Sequence, residues 1–481
     1  MSLKQNFDRS DPVRPLINVG ARLDILSGTV ITGRYGESII MGGLPASTGV
    51  VGLGNQFKTK LLRYLLLSAL SKFYKYGSTA SSYDTETNIH EEHQYHLSQQ
   101  FEEFKDKNII IEGTWVITDK TIYSGDQYFD ITKEYLLDKK KNRKEYLKDT
   151  PFLNRDGKSY MQMMIPTFRD IDSFTEFNTQ DVLKMQDENS LGESGANTVN
   201  MREGLQKNRF LREITPLADG TKDYVLMTAH LGTEFNLDPR SPVPRKLAHL
   251  KGGLKIKGAP EKFTFLTTIC WQNTNATPLI NQGTKTPEYP KDSYDDLSND
   301  TDLNEVTVKL LRNKSGPSGM TTQLIISQKD GVLEDLTNFH YIKTRKRYGL
   351  PGNDRNYACA LLPDVNLSRT TVRKKLKENK TLCRAIELCA DLCQVEEFWP
   401  QYNNIICTPE ELYKDIKDLG YDWNILLNTR GYWTFENDKQ EIPFLSIIDL
   451  LKMRAKQYVP YWYKNLPDAV KDVPRIDRFK G

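Results

Sequence analysis

A chain of 481 residues exceeds what one compact core holds, so two or three domains are expected. Apolar residues at 38% and charged residues at 27% suit a globular protein with a polar surface. Neither an apolar run of about eighteen residues nor an apolar leader is legible, which predicts a cytoplasmic protein without a membrane span or signal peptide. The balance of 66 basic against 63 acidic residues (net +3) leaves nucleic-acid affinity to local clusters. The six cysteines, at 270, 359, 383, 389, 393 and 407, include no CxxC pair and read as reduced core residues.

Residues 1–40 read as an N-terminal arm with a short packed lead-in, too few for a domain. An apolar, glycine-bordered approach (Ile39, Ile40, Met41, then Val50, Val51) leads to Gly52-Leu53-Gly54-Asn55-Gln56-Phe57-Lys58-Thr59, followed by Lys60 and a predicted helix over 61–76. A loop between strand and helix that ends in Lys-Thr suits a nucleoside triphosphate. Backbone N–H groups and the helix dipole favour phosphate, the lysine reaches the outer phosphates, and the hydroxyl ligates magnesium. The regular pattern has glycine where Phe57 stands, so by pattern alone this is a degenerate phosphate loop.

Next, Tyr83-Asp84-Thr85-Glu86 precedes a polar helix carrying His90, His93 and His96. Spacings of three invite a zinc reading, but they drift around a helix and no cysteine accompanies them, so a solvated face is expected. A strand is predicted over 108–117 and a helix over roughly 130–147. The latter's run Lys139–Lys144 reads as a solvated helix end, with a nucleic-acid patch as the alternative. An apolar approach over 161–168 ends in Arg169-Asp170-Ile171-Asp172-Ser173, as a magnesium-holding strand end does.

Residues 185–204 read as a mobile loop containing Arg202, followed by a helix over 205–214 and a strand over 224–228. After Ala229-His230 comes a second long loop, 231–258, with Arg240, Arg245, Lys246, His249, Lys251, Lys255 and Lys257. Two long loops leaving neighbouring strand ends are functional candidates on length alone. The remaining expectations are a strand over 263–271, an acidic insertion over 283–302, and strands over 306–311 and 321–327 flanking Arg312-Asn313-Lys314-Ser315-Gly316-Pro317-Ser318-Gly319. Beyond a loop-rich link at 349–366, a basic helix over 368–392 and four of six tryptophans predict a folded tail.

In order, these motifs resemble the RecA-type ATPases. Gly-x-x-x-x-Phe-Lys-Thr with Tyr83-Asp84-Thr85-Glu86 and the lead-in LDILSGTVITGRYGESIIMGG looks like the UvsX branch, the strand-exchange recombinases of large tailed phages. The resemblance covers about residues 15–395; the last ninety residues match nothing. It implies an α/β RecA-like P-loop ATPase core over 41–348, a mostly parallel twisted sheet with helices on both faces. An N-terminal arm (1–40) and a small mixed α/β C-terminal domain (349–481) would flank it. It implies ATP and Mg2+ as cofactors. Gly52, Gly54, Asn55, Gln56, Phe57, Lys58, Thr59 and Lys60 would hold the nucleotide, and Thr59 and Asp172 the metal. Glu86 would activate water beside Lys58, and His230 would sense the γ-phosphate. Arg312 and Lys314 would reach a neighbouring subunit's nucleotide. Arg202, Arg240, Arg245, Lys246, Lys251 and Lys255 would contact DNA. The implied partners are single-stranded DNA, homologous duplex DNA, further copies in a helical filament, and a mediator or single-strand-binding protein. Two alternatives remain open at this point: a hexameric RecA-fold helicase, suggested by the cation-rich Gly-Pro turn at 312–319, and a non-catalytic assembly protein on the same fold.

Overall fold

The structure, a computed structural model, describes residues 13–154, 157, 159–188, 196–233, 247–259, 262–291, 301–353, 355–435 and 442–475. A short helix α1 (Leu23–Ser27) and the hairpin β1 (Thr29–Thr32) and β2 (Ser38–Met41) lead to β3 (Ser47–Gly52) and helix α2 (Lys58–Phe73). Then come β4 (Ala80–Asp84), α3 (Glu91–Ser98), β5 (Trp115–Asp119), α4 (Gly125–Lys141), α5 (Arg143–Tyr146), β6 (Leu147–Leu153), β7 (Tyr160–Met164) and β8 (Thr167–Asp172). The middle of the chain holds α6 (Gln180–Glu188), α7 (Ala196–Thr221), β9 (Asp223–Thr233), β10 (Leu254–Ile256), α8 (Lys262–Leu266), β11 (Ile269–Pro278), β12 (Leu303–Asn313), β13 (Thr321–Ser327) and β14 (Gly331–Val332). The rest comprises α9 (Glu334–Thr344), β15 (Tyr357–Cys359), β16 (Leu362–Leu367), α10 (Val372–Glu378), α11 (Lys380–Phe398), α12 (Pro409–Asp418), α13 (Trp423–Leu427) and α14 (Ile447–Arg454).

One large sheet organises the molecule, in the order β14-β13-β12-β11-β3-β9-β8-β4-β5, with β10 hydrogen-bonded to β9. From β11 through β5 all neighbours are parallel; β12, β13 and β14 add an antiparallel flank. β3 lies at the centre and is buried along its whole length, as a parallel strand covered on both faces must be. Adjacent side chains point to opposite faces, so Val50 joins the core that contains Leu61, Leu65 and Leu66 of α2. Val51 joins the one that contains Leu136 of α4 and Phe210 of α7. The protein is therefore a mixed α/β structure with a mostly parallel central sheet between helices. Among the described residues no helix is long and apolar enough to cross a membrane.

Several expected boundaries move. Residues 108–114 turn before β5 begins at Trp115, and Ile111 is 82% exposed. The predicted helix over 130–147 runs instead from Gly125 to Lys141 with a short continuation. The approach over 161–168 is two strands divided at Pro166: β7 pairs with β6 in a separate hairpin, and only β8 enters the main sheet. Residues 196–204, expected as loop, are the first turns of α7; residues 189–195 lie outside the described residues. The strand expected over 263–271 is α8 followed by β11, and the basic helix over 368–392 is broken at Asn379.

The packing also crosses the expected boundaries at 40 and 348. Leu16, Ile17, Val19 and Leu23 are buried in this chain's own first core. Trp433 joins them from the far end of the chain. Its indole N–H donates to Leu16 O at 2.8 Å, and its ring meets Phe73 at 5.3 Å and Phe152 at 4.8 Å. A second core centred on α11 draws in Ile25, Ile40, Leu336 and Phe339. Between residues 18–24, α9, α11 and residues 429–432 lies a polar cavity of about 290 Å³, where Asp24, Asp335 and Asp391 face Arg22, Lys72 and Arg384.

Candidate active site

The phosphate-loop segment closes the gap between β3 and α2. Asn55 and Phe57 both take left-handed backbone, each at φ 56°. Phe57, the N-cap of α2, is the position where the regular pattern has glycine, the residue that adopts this conformation without steric cost. Phe57 instead carries about 1–2 kcal/mol of strain, offset by packing its half-buried ring against the first core. Two side chains brace the loop. Gln56 accepts from Leu53 N at 2.9 Å and donates to Thr274 O, and Asn273 Nδ2 donates to Gln56 O at 2.6 Å. These bonds tie the loop to the middle of β11, where its parallel pairing with β3 ends.

The first intrahelical bond runs from Leu61 N to Phe57 O at 3.1 Å, so the N–H groups of Lys58, Thr59 and Lys60 have no helical acceptor. Gly54, Asn55 and the Thr59 side chain are exposed around them, and Gly52 is buried beneath. Lys58 is buried, and its Nζ donates to Leu53 O at 2.8 Å. Burial pushes its ammonium below the usual lysine range, while Asp172 and Glu86 pull the other way.

Asp172 ends β8 and is buried, accepting from Thr228 Oγ1 of β9 at 2.5 Å. Thr85 stitches β4 to β8: its N–H donates to Asp172 O at 2.9 Å and its hydroxyl to Ser173 O at 2.8 Å, while Ser173 N donates to that hydroxyl at 2.7 Å. Asp84 is turned inward. It accepts from the N–H groups of Glu86, Asn88 and Ile89 at 2.6–2.9 Å and shapes the turn that presents Glu86. Glu86 is half-buried, with Oε1 3.0 Å from His230 Nε2. Burial raises its pKa, but hydrogen bonds to His230 and Ser173 and the charge of Lys58 outweigh it and hold the carboxyl below the ordinary glutamate range. Lys58, Thr59, Glu86 and Asp172 thus gather at the carboxyl ends of β3, β4 and β8, where open α/β sheets bind their ligands.

This donor set fits a magnesium–triphosphate group: a helix N-terminus, a lysine, an exposed hydroxyl and a buried carboxylate. Arg312 and Lys314 are not brought to it. Arg312 pairs with Cys270, which pairs with Gly49, three residues before Gly52 on β3; Lys314 lies farther still toward the opposite end of the sheet.

His230 does not end its strand. β9 runs on to Thr233 and β10 returns beside it, with Lys255 opposite Gly232, so the expected loop over 231–258 is rooted as a β-hairpin. Arg240, Arg245 and Lys246 lie outside the described residues; Lys251 and Lys255 are exposed. Arg202 sits exposed in the second turn of α7, against Met185. A residue missed by sequence reasoning joins these parts. Lys207 of α7 donates to Thr175 O at 2.5 Å and Gly258 O at 2.7 Å, and His230 N donates to Thr175 Oγ1 at 3.1 Å. Nothing in the sequence marks Lys207. Arg63, buried against Asp170 behind Asp172, was legible as the lone charge in the apolar run of α2.

No protein-family model matches the chain, and no curated protein is similar to it.

Proposed function

We propose that this chain is a RecA-type, magnesium-dependent ATPase, a recombinase that forms helical filaments on single-stranded DNA and pairs it with homologous duplex. The observation that carries the reading is the line of contacts from Glu86 through His230 into the hairpin of β9 and β10. It joins a water-activating carboxylate to a basic surface element.

In this reading Thr59 and Asp172 would hold a magnesium ion, whose chemistry when bound would be to offset negative charge on the phosphoryl group. Lys58, relieved of Leu53 O, neutralises phosphate oxygens. Glu86, ionised throughout the neutral range, orients a water and takes its proton. His230 feels the change of charge at Glu86 and transmits it to the strand that roots the hairpin. Lys207 and Thr175 couple the same turn to α7, so Arg202 and the hairpin cations respond together. Phosphate contacts from those cations are independent of sequence, as strand exchange requires. Arg312 and Lys314, remote from their own site, would reach a neighbour's nucleotide and make turnover depend on assembly.

ATP hydrolysis with and without single-stranded DNA, on wild-type and Glu86→Gln protein, tests this. Expected are stimulation by DNA, its loss in the variant, and open filaments rather than closed rings in electron micrographs. Hydrolysis indifferent to DNA would remove the recombinase reading.

A further inference from the structure

Apart from the phosphate-loop site, and sharing no lining residue with it, lies the polar cavity of about 290 Å³ between residues 18–24, α9, α11 and residues 429–432. One wall is a single face of α11. Lys380, Arg384, Glu387, Asp391 and Gln394 recur at spacings of three and four, which puts them on one side of the helix. A polar stripe of this kind ordinarily faces water. Here Arg384, Asp391 and Gln394 are buried, Gln394 at 0% exposure. The cavity opens beside Lys380, which is exposed.

Most polar groups on these walls are matched. Arg22, 4% exposed and on left-handed backbone at φ 69°, donates Nε–H to Asn338 Oδ1 at 2.7 Å and Nη2–H to Asp391 Oδ1 at 2.6 Å. Arg384 donates Nη2–H to Leu445 O at 2.5 Å, and its Nη1 lies 2.8 Å from Glu387 Oε2. Gln394 donates its amide N–H to Arg22 O at 3.0 Å. Left over are two buried donors, Arg22 Nη1 and Arg384 Nε, and one buried acceptor, Gln394 Oε1, none with a hydrogen-bond partner. Buried groups are nearly always satisfied, so unmatched donors and an unmatched acceptor on one cavity mark a missing partner. Asp335 lacks a counter-charge as well. It forms no ion pair among the described residues, and burial together with Glu334 and Glu387 pushes its carboxyl up to about 7.

We propose that this cavity binds a free amino acid, its carboxylate on Arg22 Nη1 and Arg384 Nε, its ammonium against Asp335 and Gln394 Oε1. The choice follows from charge. Unmatched guanidinium N–H groups call for an acceptor and bind an anionic one best. Yet a phosphate or dicarboxylate would face Asp24, Glu334, Asp335, Glu387 and Asp391, which outnumber the inward cations Arg22, Lys72 and Arg384. Lys380 and Arg430 do not redress this: they reach Glu102, and Ile442 O with Tyr432 O. A polyamine would suit the acids but leave both guanidinium donors unmatched. No group of side chains suited to a metal ion occurs among the described residues. An amino acid brings one charge of each sign. The volume is right for one, at the small end of the roughly 300–1,000 Å³ of ligand pockets.

The test is calorimetric titration of the full chain, without nucleotide or DNA, so it does not depend on hydrolysis. The probes are the twenty standard L-amino acids, with acetate, inorganic phosphate and putrescine as probes of one charge sign. Expected is a single site for at least one amino acid, with Kd below about 1 mM. The N-acetyl and methyl ester forms of that amino acid, each lacking one charge, should bind at least about tenfold more weakly. Arg384→Lys keeps the charge but loses the Nε donor, and should weaken binding about tenfold. Gly431→Ala serves if that variant fails to fold. A Cβ there would come within 2.7 Å of Arg384 Nη1 and 2.9 Å of Glu387 Oε1, pressing these flexible ends into the cavity with the same loss of affinity. No binding by any amino acid, or binding unchanged in both variants, overturns the proposal. So does tighter binding of acetate, phosphate or putrescine, which would make this a site for one charge sign.

Discussion

Glu86 and His230 meet at 3.0 Å although they come from strands, β4 and β9, that are separated in the sheet by β8. The pair bridges the strand that carries Asp172, so in the proposed reading a base and a sensor would share one hydrogen bond over the carboxylate that would hold the metal. His230→Ala should leave ATP hydrolysis without DNA within a few-fold of wild type and remove its stimulation by DNA. The pH profile of kcat/KM gives an independent check. A base works deprotonated, and Glu86 lies below the ordinary glutamate range chiefly because the hydrogen bond to His230 overcomes burial. Without that bond its pKa rises, so the acid limb of the profile should move to higher pH in His230→Ala.

Lys58 tests the phosphate loop itself. Lys58→Ala should cut turnover by about 100-fold or more, as losing one preorganised charge does, while the far-ultraviolet circular dichroism stays unchanged. Unaltered turnover would take the loop out of the mechanism.

The hairpin's role is read from salt. Neutralising Arg245, Lys246 and Lys251 together should lower the slope of log affinity for single-stranded DNA against log salt by about 2, the release of three phosphate contacts. A slope equal to wild type would place the DNA elsewhere.

Stability should fall as pH rises from about 4 to about 7. Burial lifts the carboxyls of Asp24 and Asp335 to about 7 and that of Asp391 to about 6, each from 3.8. Their folded state holds protons that the unfolded chain has released, which stabilises at low pH and is lost through the folded pKa. Lys60 and Lys139, lowered by burial to about 8, act in the opposite direction but only between about 8 and 10.5. Asp335→Asn should flatten the fall of the thermal midpoint across the lower window.

Much of the candidate site was legible because the sequence patterns that suit phosphate are local. The loop at 52–59, Glu86 after Asp84, and Asp172 at a strand end each occupy a few consecutive residues. What escaped depends on distant partners. Lys139, in a run read as a solvated helix end, is fully buried, its Nζ donating to Ile165 O at 2.8 Å. The polar start of α7 is helical because Phe210, Leu211 and Ile214 anchor it to the sheet. β9 outruns its apolar stretch because β10 pairs with it from more than twenty residues away. The apolar approach to the loop was clear in the sequence; which helices would cover each face of β3 was not.

Trp433 gives this chain an unusual order of completion. The indole that fills the space between Phe73, at the end of α2, and Phe152 is made long after both of them, from a position well beyond the whole main sheet. Until then the helix that begins at Lys58 has a hole at its far end. A nascent chain therefore holds the loop at 52–59 on an unfinished core until Trp433 has been added.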